Sequence, residues 1–151
     1  MIRKQKRGRF LDFNDEIILG EVGALIGSAS GSYLSFLISK DDKLSPAFSV
    51  VGSIILGGIL FLSEKIHDKM KRKEFSIKNL IHDLSYYTPA AAPVSIFIGY
   101  PMLYLLTGFF IGKGLNPFYS GALGAFLSFL VFLVIMNIYR TVLLHVFKKR
   151  I

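Results

Sequence analysis

Two histidine–acid doublets, His67-Asp68 and His82-Asp83, form the one enzyme-like constellation in the chain. Imidazole beside carboxylate can ligate a divalent metal, and the chemistry such a pair would support is metal-dependent catalysis. Successive residues of a helix point about 100° apart, so each doublet supplies one ligand readily and a second only with difficulty. Their plainer reading is as charges in the interfacial layer. The chain has no nucleophile elbow, Walker loop, HExxH or dinucleotide fingerprint. It also has no cysteine, which removes disulfides, thiolate metal sites, thioether haem links and cysteine nucleophiles. The expectation is a non-enzymatic protein with no metal and no cofactor.

A second group carries a different chemistry. Glu21 is followed by 18 residues without a charge, and Asp83, Thr88, Asn137 and Arg140 lie near the ends of other uncharged stretches. If those stretches cross a bilayer, the five residues make a candidate polar or ion site near the cytoplasmic ends of the first, third and fourth spans. A charge at the bilayer centre costs about 2.5–3.5 kcal/mol on insertion scales, and less toward the ends. Glu21 therefore reads either as an acid that couples to an ion or as half of a structural pair, with Arg140 the natural partner.

The elements that must position these residues are legible from charge spacing. Residues 114–139 form 26 consecutive uncharged positions, and residues 22–39, 44–63 and 84–112 form three more runs of 18, 20 and 29. A helix needs about 20 apolar residues to span the hydrocarbon layer. An all-α integral membrane protein with four transmembrane helices is expected, with spans near 17–39, 46–66, 84–112 and 117–144. With 151 residues and 52% hydrophobic composition, the chain has no room for a separate soluble domain, so residues 1–151 are one membrane unit.

The net charge of +8 does not point to nucleic acid, because of where the charge lies. Fifteen of the 18 Lys and Arg fall in the arm at residues 1–13, the connection at about 65–82 and the C-terminal end. Only Lys40, Lys43 and Lys113 serve the other two loops. By the positive-inside rule both termini are cytoplasmic, and the expected location is the plasma membrane. The basic arm is expected to meet anionic lipid headgroups, at about 1 kcal/mol per basic residue. It reads as retained rather than as a signal peptide, because the residues after it, FLDFNDE, contain three acids.

Packing signals run through the spans. Gly23, Gly27 and Gly31 form GxxxGxxxG; Ser53 and Gly57 in the second span and Ser120 and Gly124 in the fourth repeat the small-residue spacing. In lipid, helices associate through close backbone approach, which small residues permit. Asn14 is a candidate cap for the first helix, as are Ser45 before Pro46 and Asn116 before Pro117 for the second and fourth. Pro89, Pro93 and Pro101 predict a bent or broken third span. An offset of 71 aligns Leu44-Ser45-Pro46 with Leu115-Asn116-Pro117, which suggests two tandem helical hairpins.

Two functions follow as expectations. The first is a non-catalytic protein acting through helix packing, as a homo-oligomer or an accessory subunit of a membrane complex. It is motivated by the small-residue ridges and by the scarcity of polar residues in the outer half of the spans. The alternative is a small ion or solute transporter or channel with Glu21 as its coupling acid.

Overall fold

The computed structural model describes residues 2–40, 42–71, 76–78, 80, 81 and 91–146. All regular structure among the described residues is helical, and four helices are long and apolar enough to cross a membrane: Ile18–Ser39, Asp42–Lys71, Ala91–Gly112 and Pro117–Tyr139. The first lies within α1 (Ile2–Ser39) and the second is mostly α2 (Ser45–Lys71). In the third, residues 91–94 lead through a π-helical turn (Ser95–Gly99) into α3 (Tyr100–Gly112); the fourth lies within α4 (Pro117–Val146).

The helix starts divide the three capping expectations. Asn14 does not begin α1, which starts at Ile2; the arm contains no proline, and its Lys, Arg, Gln and Leu residues are good helix formers, so the backbone continues through Asn14. At α2, Pro46 takes the first turn as expected, but the buried Ser45 hydroxyl has no protein hydrogen-bond partner and so caps nothing. A 3-10 turn, Asp42–Leu44, leads into that helix instead. At α4 the cap forms: Asn116 Oδ1 accepts the Phe118 amide at 2.9 Å. Upstream, α3 ends where Gly114 turns at φ +86°, a conformation glycine adopts without a Cβ penalty.

Among its described residues, from Ala91 to Gly112, the proline-rich third span does not break outright. The Tyr100 amide donates to the Ser95 carbonyl five residues back, and Pro101 follows with no amide to offer. Losing that donor lets the ladder slip one register over a single turn, which is how a π segment arises inside a helix. Pro93 lies just before the turn. Pro89 lies outside the described residues.

The helices contact one another in the order α1, α2, α3, α4, with α1 closing on α4, and the α1–α2 contact is the most extensive. Backbone meets backbone along it. A Cβ added at Gly27 would collide with the Gly52 carbonyl, and one at Gly52 with the Gly27 carbonyl. A Cβ at Gly31 would strike the Phe48 carbonyl, and one at Gly23 would stand 2.6 Å from the Leu56 carbonyl oxygen. The interior is built of small side chains: Ala29, Ala125, six serines and Thr107 are nearly or fully buried, while Leu34, Ile38, Ile55, Phe97 and Leu105 are more than half exposed. This inversion of a soluble core is what a lipid solvent permits, since hydrocarbon outside removes the reason to hide large apolar groups.

Candidate functional site

Glu21 faces a cavity of about 330 Å³ to which all four spans contribute. α1 brings Glu21 there because residues 21, 28, 32 and 35 fall within about 60° of one another at about 100° per residue. That stripe stands beside, and not on, the glycine stripe that α2 occupies. From α2 come Ser53, Gly57 and Phe61, and from the third span Ser95, Gly99 and Tyr100, so the π turn lies against the cavity. α4 adds Ala125, Ser128, Phe129 and Phe132. Below it, Ala91 and Met136 pack with Val94, Phe132 and Tyr139 to hold the third span against α4.

Electrostatically the cavity is simple. Among the described residues Glu21 is its one charged lining residue, set among phenylalanine rings, Tyr100 and three serines. Lys65 Nζ stands 5.2 Å from the ring centroid of Phe61, one of the lining residues. A carboxylate, aromatic faces and hydroxyl oxygens suit a monovalent cation or a protonated group, which the rings attract through their quadrupole. The volume is at the lower end of the range for small-molecule pockets, about 300–1,000 Å³.

Nearer the turn end of the bundle, a hydroxyl chain links all four helices. Ser28 Oγ donates to the Gly121 carbonyl at 2.7 Å and lies 2.5 Å from Ser49 Oγ, which is 3.3 Å from Thr107 Oγ1. Each hydroxyl has one proton to give. With that of Ser28 committed to Gly121, Ser49 must donate to Ser28 and Thr107 to Ser49. The direction is thereby set: Thr107 to Ser49 to Ser28 to Gly121. Gly124 leaves the room Thr107 needs, since a Cβ there would stand 2.7 Å from Thr107 Oγ1.

These hydroxyls lie in the half of the bundle nearest the two short turns, the half expected to be poor in polar groups. Ser28, Ser32, Ser45, Ser49, Thr107 and Ser120 are all completely buried. A serine in an apolar run reads equally as a small packing residue and as a hydroxyl, and only the fold separates the two. Ser53 and Gly57, expected as packing residues, line the cavity, and Gly57 also packs closely on α1, where an added Cβ would stand 3.0 Å from Ala24 Cβ; Gly23, Gly27 and Gly31 serve the same α1–α2 packing. Ser120 is buried against the Leu115 carbonyl.

Of the candidate polar site, Glu21 alone among the described residues lines the cavity. Asn137 is exposed and donates to the Leu133 carbonyl one turn back at 2.8 Å, because its position on α4 points away from the other helices. Asp83 and Thr88, the His82-Asp83 doublet and the side chains of Asp68 and Arg140 lie outside the described residues, and His67 is exposed. Tyr100, Phe61, Ser128 and Phe132 entered the site unforeseen; nothing in their local sequence marks them, since the cavity exists only where four helices converge. No family model, curated protein or solved structure matches this chain.

Proposed function

We propose that the protein is a small multi-pass transporter or channel of the plasma membrane, with both termini cytoplasmic, whose cation or solute site is the cavity around Glu21. One observation carries this reading: the single charged residue of the Ile18–Ser39 span lines a cavity to which every span contributes. An intramembrane acid is costly to keep and lies where an ion or a proton can use it. A π turn beside it supplies a backbone that is not locked into regular helix. The two hairpins, α1 with α2 and α3 with α4, act as tandem units on either side of the cavity, and the basic arm meets anionic headgroups.

The accessory-subunit or homo-oligomer reading has weaker support. Its principal ridge, Gly23, Gly27 and Gly31, packs on α2 of the same chain, so a partner or second copy would have to use an outer face.

Purified protein in liposomes, with a trapped pH dye and an imposed sodium or potassium gradient, tests the transporter proposal. Wild type is expected to dissipate the gradient at least tenfold faster than empty liposomes, and Glu21→Gln to return the rate to background with unchanged helix content. Equal rates for wild type and Glu21→Gln, or wild type no faster than empty liposomes, would overturn it.

A further inference from the structure

We propose that a hydrated column of hydroxyls connects the turn end of the bundle, at Ser45, to the Glu21 cavity. Four buried hydroxyls carry the inference. Ser32, Ser35, Ser45 and Ser128 have no protein hydrogen-bond partner, and their residues are 0, 2, 0 and 7% exposed. An unmet buried hydroxyl costs about 1–3 kcal/mol. A helical serine can avoid that cost by donating to the carbonyl four residues back. Ser39 does so to Ser35, and Thr141 to Asn137. The oxygens of these four serines are instead held for another partner, and water, which both donates and accepts, is one that fits beside hydroxyls.

The helix registers place the four in one continuous path. Gly31 meets Phe48 and Gly27 meets Gly52, so one turn further Ser35 lies level with Ser45, and Ser32 between Ser45 and Ser49. The path then meets the hydrogen-bonded Thr107–Ser49–Ser28 chain. Beyond it, Gly121 meets Ser28 and Ala125 joins Ala24 on the cavity wall, which puts Ser128 level with Glu21. Ser53, one turn beyond Ser49 on α2, also lines the cavity. The hydroxyl oxygens thus descend in steps of about one helical turn, 5.4 Å, a gap one water can bridge. What the column is for rests on the transporter reading; whether it is wet does not.

The chain contains no cysteine, so single substitutions report single sites. Full-length Ser32→Cys, Ser45→Cys and Ser128→Cys proteins in liposomes would be exposed to silver ion, then unfolded in detergent and alkylated to count the thiols left free. Silver attacks thiolate, which forms where water reaches the sulfur. Blocking at Ser32→Cys and Ser45→Cys is expected at least tenfold faster than at Val51→Cys, whose parent residue is half exposed on the apolar outer surface. Asp42→Cys in the exposed turn sets the upper rate, and Ser35→Cys substitutes for any variant that does not fold. If Ser32→Cys and Ser45→Cys react no faster than Val51→Cys while Asp42→Cys reacts fully, the column is dry and the inference fails. Fast reaction at Ser128→Cys alone would leave the cavity reading intact and overturn the column. Fast reaction at all three sites with flux unaffected by Glu21→Gln would sustain the column and overturn the transporter.

Discussion

Ser28 is the residue through which the packing and the chemistry of the bundle meet. Its hydroxyl gives its proton to the Gly121 carbonyl and receives that of Ser49, so a single side chain ties α1 to α2 and α4. Interhelical hydrogen bonds in membranes average about 0.6 kcal/mol and reach about 1.7 kcal/mol. Ser28→Ala is expected to destabilise the protein by roughly that range in a denaturing-detergent titration, with Thr107→Val additive only in part because both belong to one chain of bonds. No measurable change in Ser28→Ala would show that the interior compensates for the lost bonds. Glu21 differs in kind: it lines the cavity, which is why flux and not stability is the expected readout of Glu21→Gln.

Among the elements, the α1–α2 pair shows how much depends on a missing Cβ. Gly27 and Gly52 face each other's carbonyls, so any side chain at either must push the helices apart. Gly27→Ala is expected to cost about 1–3 kcal/mol, as overpacking does elsewhere. At Gly58 on α2 an added Cβ meets nothing within 4 Å, so Gly58→Ala should be neutral or stabilise by about 0.5–1 kcal/mol through lower chain entropy. The two melting temperatures, measured side by side in one detergent, should move in opposite directions or differ by several degrees. Equal shifts would mean that the close approach is not what holds the pair. GxxxG spacing announced this contact in the sequence; which helix would fill it was not announced, because a small-residue ridge suits a neighbour in the same chain and a second copy equally well.

For the whole molecule, sidedness is the property most open to direct measurement. A reporter fused after Lys43 is expected on the outer side and one after Lys73 in the cytoplasm, and the opposite pattern would reverse the direction assigned to the hydroxyl column and to Glu21. Because the turn at Asp42–Leu44 and the turn at 113–116 lie at one end of the bundle, the same pair of fusions places Ser45 and the start of the column on one side of the membrane.

Charge spacing alone marked out four helices long and apolar enough to cross a membrane, since a charge left in hydrocarbon is penalised wherever it sits and the uncharged runs need only be counted. It also marked the first-span acid, the glycine ridge and the irregular third span, each of which follows from local chemistry: a carboxylate in an apolar run, a missing side chain, a missing amide. Tertiary structure alone decided that the proline-rich span accommodates its lost donor by a π turn, that the glycine ridge is filled from within and that Asn137 faces away from the acid. It alone assembled Ser28, Ser49, Thr107 and the Gly121 carbonyl into one hydrogen-bonded chain, because the partners stand 21, 58 and 93 residues apart in sequence and meet only when four helices close around them.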